Sequence, residues 1–527
     1  MKQTLIAVCL TGIVGFVILF RLGSPPLFDP DEPRYAQSAR EMNERGSLLI
    51  PYFNNQPRLN KPVLYYWVIA GIYRLFGVSE FSARLASAGA ALVLFVTTFI
   101  FVCHVCGLRA AAFTGLILGS MPLFLVPARL VMPDMLFSLW MILALYCFYL
   151  GWDADSYGRR QKWFFGFYVF QVIAAWTKGP VGILVPLAVA VLCLVRSRDW
   201  VTLRSLRLHW AIPAVLAASL PWYLYIFLTV DRHGMLTLAG QETAGRIFGI
   251  SRDYEPLYYY LPALAGGLFP WILVLPWAWY QRRRMQPHRL RMLCEMCFLF
   301  VLVFFSLCAA KKYQYIIMLA SVCAVWLGSI LGDVYAVRTR ERALGLIGGI
   351  CAGLCGVLVA GFEGVAWISR HELSLLPGSL LLFGVMVIAF GAALIGAVRG
   401  FPGTAIASLS ATTLVGLVVF VLYGAPWVGE RRSLRECIRE HDALFQKTSA
   451  VYCASKVFNS LVFYSPRPVY LNMDEEEILA RLRSAEPCMG IISRRRARKL
   501  RAELAPFFFT EKYDRMIFTN INTSHPP

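Results

Sequence analysis

Charge is what this sequence has least of. Only 16% of the 527 residues are Asp, Glu, Lys or Arg, while 58% are hydrophobic and the mean hydropathy is +0.58. An ordinary soluble domain carries about a quarter charged residues. So little charge cannot cover a water-facing surface, which excludes a soluble globular protein and leaves a polytopic membrane protein. Acids are scarcer than bases, 31 against 51. A net charge of +20 marks nucleic-acid binding in a soluble chain, but here the bases fall mostly in short loops between apolar runs. The charge therefore reports topology, and no nucleic-acid partner is expected. Cys103-x-x-Cys106 and Cys294-x-x-Cys297 have the spacing of metal half-sites, yet neither stands beside a His or Asp cluster. The fourteen cysteines lie mainly inside apolar runs as small hydrophobes, so neither a metal nor a cofactor is expected. Ser-His-Asp, P-loop and HExxH patterns are missing. No internal or inverted repeat is seen, which weighs against a transporter or lipid flippase.

What is present is a series of apolar runs near 5–20, 84–103, 110–127, 135–151, 163–176, 180–195, 210–229, 261–280, 292–309, 314–331, 344–362, 377–397 and 402–423, about 13 spans in all. The first follows Lys2 like a signal peptide, but Arg21-Leu-Gly-Ser-Pro-Pro offers no small-x-small cleavage site, so an uncleaved span is predicted. Bases concentrate in alternate loops, at Arg159, Arg160 and Lys162; at Arg196, Arg198, Arg204 and Arg207; at 282–291; and at 338–342. With these loops cytoplasmic, parity puts the N-terminus inside, and both the charged stretch 22–83 and everything after residue 424 outside. Residues 1–424 thus read as a transmembrane module with 22–83 as its outer loop of membrane-surface helices. Residues 425–527 read as a small extracytoplasmic α/β domain, with β-rich runs at Ala450–Cys453, Val469–Leu471, Met489–Ile492 and Met516–Thr519 and helix-like stretches at Asp474–Ser484 and Arg494–Leu504.

The outer loop holds the densest charge. Asp31 can N-cap a helix with Pro33 in its first turn, and Tyr35, Ala39 and Met42 oppose Arg40, Glu41 and Glu44 with a helical period. A second helix is predicted after Lys61-Pro62, where Tyr65, Tyr66 and Trp67 form an interfacial aromatic cluster. Ionisable residues near a bilayer are costly and tend to face a cavity or a partner. By the predicted topology, Asp29, Asp31, Glu32 and Arg34; Arg58 and Lys61; Arg129 and Asp134; Lys178; and Lys311 and Lys312 with Tyr313 and Tyr315 all share the outer face. Acids mixed with bases there suit a reaction on a lipid phosphate, the bases holding phosphate and an acid orienting a polar group or taking a proton. Each has a plainer reading: Asp31 as a helix cap, Lys61 as a snorkelling anchor, Lys178 and Lys312 as span-end anchors. Asp29-x-Asp31 matches the spacing of a metal-binding acid pair. It lies outside, where soluble nucleotide sugars are not expected, and Arg34 and Lys61 can neutralise a phosphate without a metal.

"DPDEPRYAQSAREM", "NKPVLYYW", "WTKGPVGILVP" and the Lys-x-x-Tyr-Ile pattern of "KKYQYIIM", followed by an outer α/β domain, resemble the bacterial aminoarabinose transferase branch of the GT-C glycosyltransferases, relatives of the protein O-mannosyltransferases. The resemblance runs the length of the chain. It implies a GT-C fold in the bacterial inner membrane with the active site on the periplasmic face. It also implies a polyprenyl-phosphate-linked sugar donor, such as 4-amino-4-deoxy-L-arabinose, and an envelope acceptor, typically lipid A phosphate. On the matching motifs Asp31 and Asp134 fall on the family's acids, Arg34 and Lys61 on donor-phosphate ligands, and Tyr315 on a pocket tyrosine. Tyr35, Arg58, Tyr65, Lys178 and Lys312 complete the substrate-binding candidates. The resemblance leaves two acceptors open: a phosphate, already ionised and needing no strong base, and a protein or glycan hydroxyl, which requires one of the acids as base.

Overall fold

The computed structural model describes residues 2–230, 255–281, 287–336, 361, 363–370, 372, 375–399, 402–455, 458–512 and 515–521. They fall into two compact units, Met1–Leu22 with Leu59–Val68 and Arg84–Tyr423, and Gly23–Arg58 with Ile69–Ala83 and Gly424–Pro527. The outer loop is thus split: most of it folds with the C-terminal residues, because its polar groups find their hydrogen-bond partners there, as described below.

Six helices among the described residues are long and apolar enough to cross a membrane: Glu80–Cys106, Pro133–Trp152, His288–Leu307, Tyr313–Asp333, Leu376–Ala393 and Ile406–Arg432. Run 110–127, read as one span, is instead two helices, Leu108–Leu118 and Pro122–Arg129, bent by 71°. Pro122 lacks the N–H that would continue the first helix, and Gly119 lets Val14 approach to where a Cβ would stand 2.4 Å from its methyl. Run 210–229 is bent by 43° at Pro221. Run 261–280 breaks into Tyr260–Gly267, Trp271–Leu273 and Leu275–Gln281 at Pro270 and Pro276. Runs 5–20 and 180–195 are shorter apolar helices, Gln3–Leu19 and Val181–Ser197, and run 163–176 forms the end of helix Tyr157–Lys178. Run 344–362, Gly361 apart, and the basic loops at 282–284 and 338–342 lie outside the described residues. Without water between them, membrane helices pack through small side chains. Gly328 and Gly332, one turn apart, do this for Met318–Ala336: a Cβ on either would stand within 3 Å of Thr114 or Ala110 on Leu108–Leu118.

The second unit contains a hairpin and a sheet. Strands β1 (Tyr52–Phe53) and β2 (Gln56–Pro57) are joined by Asn54 and Asn55, both at positive φ, the backbone a two-residue turn demands. Strands β3 (Ala450–Cys453), β4 (Val469–Leu471), β5 (Cys488–Ser493), β6 (Phe508–Lys512) and β7 (Arg515–Thr519) form one sheet in the order β4-β3-β5-β7-β6. The β4-β3-β5 part is parallel and β5-β7-β6 antiparallel. Both faces are covered, which is why β3 and β5 read as unbroken apolar runs. Val451, Cys453, Met489 and Ile491 pack into one core and Ala450, Tyr452, Cys488 and Ile492 into the other. Helix Glu475–Leu482 approaches β5 at Gly490, where a Cβ would meet Ile478 at 2.7 Å. The stretch Arg494–Leu504, expected as one helix, is three short turns. Arg494 and Arg495 stand at helical spacing from Arg498, where like charges repel.

Candidate functional site

Each unit carries its own share of the sequence-predicted site residues. In the second, helix Asp31–Arg45 ends at Gly46, whose φ of +66° closes the last turn. Asp31 occupies the first helical position, not the cap, and no side chain caps this end; Glu32 instead accepts the Phe28 N–H at 2.9 Å. Asp31 therefore keeps its carboxylate for other partners, with an Arg34 nitrogen at 3.9 Å. Deeper in the same helix, buried Glu41 accepts the turn amides of Asn54 and Asn55 at 2.8 and 3.0 Å and so docks the hairpin. The strand leaving that hairpin delivers Arg58, whose guanidinium lies 4.9 Å from the centre of the Tyr35 ring. Burial and the neighbouring Arg58 charge push the Arg34 guanidinium below its ordinary pKa, while Asp31 opposes the shift. Two guanidiniums whose charges oppose one another suit an anionic ligand, and a phosphate fits that charge.

In the first unit, Pro133–Trp152 presents Asp134 in its first turn, and Tyr157–Lys178 ends on Lys178. The two are ion-paired at 3% and 12% side-chain exposure. The Lys178 ammonium also lies 4.7 Å from the centre of the Tyr315 ring and 5.4 Å from that of Phe137. Asp134, Lys178 and Tyr315 are thus brought together from three segments. Tyr65, expected to face substrate, is 1% exposed and its hydroxyl is bonded to Ser87 at 2.9 Å, with Ser87 in turn donating to Met132 O at 3.0 Å. It braces the start of the Asp134 helix, because an aromatic on the inner side of an amphipathic helix packs before it can bind. Lys61 is half-buried and Lys312 exposed, the latter contributing its carbonyl to the Tyr260 hydroxyl at 3.3 Å.

A family model described as dolichyl-phosphate-mannose-protein mannosyltransferase matches residues 60–225, a segment that holds Lys61, Tyr65, Asp134 and Lys178. The undecaprenyl phosphate-alpha-4-amino-4-deoxy-L-arabinose arabinosyl transferase of Photorhabdus laumondii is 27% identical over 385 residues, 71% of this chain and 68% of that one. The protein of the same name from Aeromonas hydrophila is 28% identical over 354 residues, 65% of this chain and 64% of that one. The crystal structure of ArnT from Cupriavidus metallidurans bound to undecaprenyl phosphate matches with a TM-score of 0.83, covering 100% of this chain and 99% of that one at 24% identity. The chain has the fold of that structure and is similar in sequence to these arabinosyl transferases.

Four charged residues of this chain have duties that the sequence hid. Arg129, grouped with Asp134 in the sequence, donates to the carbonyls of Val17, Ile18 and Phe20 at 2.6–2.8 Å, and Arg84 donates to that of Leu22 at 3.0 Å. They satisfy the orphan carbonyls where helix Lys2–Leu19 ends. Lys311 is buried, donating to Glu255 O and Cys308 O at 2.7 and 2.8 Å. Asp29 is buried against Ser460. The proline-bounded turns around Arg129 and Asp29 were the available signal, since a polar residue in such a turn tends to close it.

Burial raises the Asp29 carboxyl from 3.8 to about 6, against the opposing hydrogen bonds from Ser460 and the charge of Arg515. A carboxyl whose folded pKa is raised stabilises the fold fully below its unfolded pKa and loses that contribution as pH rises through the folded value. Asp29→Asn is therefore expected to melt higher than the parent protein above about pH 6, the gap shrinking toward about pH 4. Thermal denaturation of both proteins across that range checks this; a gap independent of pH removes Asp29 as its source.

Proposed function

We propose that this transferase moves 4-amino-4-deoxy-L-arabinose, or a related sugar, from a polyprenyl-phosphate carrier to a phosphate of an envelope acceptor such as lipid A, at the periplasmic face of the inner membrane. The observation that carries the reading is the placing of Arg34 and Arg58 beside Asp31: burial and the Arg58 charge push the Arg34 guanidinium below its ordinary pKa, and a phosphate suits two guanidiniums so placed. An oxygen of the acceptor phosphate attacks the anomeric carbon while the bond to the carrier phosphate breaks, so the sugar inverts and a phosphate monoester leaves. Arg34 and Lys61 stabilise the charge that grows on that leaving group. An acceptor phosphate is ionised already, leaving the carboxylates of Asp31 and Asp134 to orient the sugar through its amine. Lys178, whose ammonium also lies over the Tyr315 ring, holds Asp134 in place for this.

The family model's description, which names protein mannosyltransferases, favours a second reading with a hydroxyl acceptor; one of the acids then serves as base. Mass spectrometry of lipid A and of envelope glycans, with and without the protein, separates the two. Sugar lost from lipid A phosphate supports the first reading, and sugar lost only from protein or glycan hydroxyls supports the second.

Transfer is expected to persist in excess chelator, because two basic side chains supply the positive charge that a metal otherwise lends the leaving phosphate. The measurement is transfer from a polyprenyl-phosphate sugar in detergent. Complete loss that magnesium or manganese restores brings back Asp29-x-Asp31 as a metal site.

A further inference from the structure

Asp29 takes no part in the proposed chemistry, yet its surroundings are built around it. It is 8% exposed. Its N–H donates to Arg432 O at 2.7 Å, and its two carboxylate oxygens accept the Ser460 N–H at 2.7 Å and the Ser460 hydroxyl at 2.5 Å. The next residue forms a second tie, the Asn459 amide donating to Pro30 O at 3.0 Å. Ser460 is itself fixed, its Oγ accepting the Leu434 N–H at 3.0 Å. Asn459 and Ser460 lie on the connection that leaves the carboxyl end of β3. In the order β4-β3-β5 the winding reverses between β3 and β5. The crevice outside the carboxyl ends of strands at such a point is where open α/β sheets seat their ligands. In this chain the connection bordering that crevice holds residues 29–30 of the chain itself.

The structure assigns Asp29 as a positioning residue: through Ser460 and Asn459 the C-terminal α/β domain holds residues 29–30 and thereby sets where helix Asp31–Arg45 begins and where Asp31, Arg34 and Tyr35 point. The inference rests on the reading that Asp31 and Arg34 serve the transfer. Both carboxylate oxygens of Asp29 are engaged by Ser460, so the residue acts by geometry. The charged groups facing it are Arg515 of β7 and Arg34 of the helix, with the Cys453 thiol of β3 also near. Arg515 is committed to the carbonyls of Ser433 and Arg431 at 2.8 and 2.9 Å.

A carboxamide reproduces this anchor and a methyl does not. Asparagine accepts the Ser460 N–H through its oxygen and donates to Ser460 Oγ through its nitrogen. In the full-length protein, Asp29→Ala is expected to lower kcat per folded enzyme by about 10²-fold, since small misplacements of catalytic groups cost that much. Asp29→Asn is expected to stay within about threefold of the parent. Ser460→Ala falls between, and Asp29→Ala with Ser460→Ala is no worse than Asp29→Ala alone, because both remove one anchor. Thermal melts normalise each rate to folded protein; if Asp29→Ala does not fold, Asp29→Asn and Ser460→Ala carry the test. An Asp29→Asn protein as slow as the alanine variant, or an alanine variant at parental kcat, overturns the assignment. Asp31→Asn is measured in parallel: full activity there with Asp29→Ala inactive sinks the role given to Asp31 and leaves the anchor standing.

Discussion

Asp31→Asn is expected to reduce sugar transfer by about 10²-fold or more while the protein remains inserted and melts close to the parent. The structure makes this substitution a clean one. Asp31 makes no capping hydrogen bond, so asparagine removes none. What it loses in stability is a favourable charge at a helix N-terminus, about 0.3–1 kcal/mol, and a 3.9 Å contact with Arg34 across a partly exposed surface, worth about 1 kcal/mol at most. Lys61→Ala is expected to cost a similar factor in transfer, since a lysine that stabilises leaving-group charge acts mainly in the transition state. A carboxylate cannot ligate an anionic phosphate, and an ammonium cannot orient an amine by charge, so in the proposed reaction the two residues serve one step in different ways. Their effects should then be non-additive. Parental activity in Asp31→Asn makes the acid structural and shifts the chemistry toward Asp134.

Lys178→Met is expected to destabilise the transmembrane unit by about 3–5 kcal/mol, the usual result of leaving one member of a buried ion pair without its partner. Here the stranded group is the Asp134 carboxylate, 3% exposed. Replacing both members, as Lys178→Met with Asp134→Leu, removes both charges, and a buried pair exchanged for apolar groups is often neutral or stabilising. The double variant is therefore expected to fold and insert like the parent and yet transfer no sugar. Thermal stability in detergent and single-turnover transfer separate the two properties. A double variant that folds and transfers at the parental rate reduces the Asp134–Lys178 pair to a packing device.

The elements legible in the sequence were those whose pattern is local. The limits of β3 and β4 follow from short β-rich runs between turns, and the helix after Asp31 from its apolar period. Strand β6 was not legible: it pairs only with β7, across an irregularity between Phe508 and Thr510, and two adjacent phenylalanines break the alternation that marks a half-buried strand. The candidate site was legible as a set of residue types. Asp31, Arg34, Arg58, Asp134, Lys178 and Tyr315 all stood out as charge or aromatic groups beside apolar runs, because a bilayer makes such groups expensive and therefore conspicuous.

The sequence by itself determined a polytopic membrane protein with an α/β domain after residue 424 and a dense charged segment after the first apolar run, because composition and hydrophobic period act over a few residues at a time. Only the tertiary structure decided which charged groups have which duty. Arg129 spends its guanidinium on carbonyls more than a hundred residues away, and Asp29 rests on a serine 431 positions along the chain. Hydrogen bonds and ion pairs are decided by where folding brings the partners, and no local pattern records that distance.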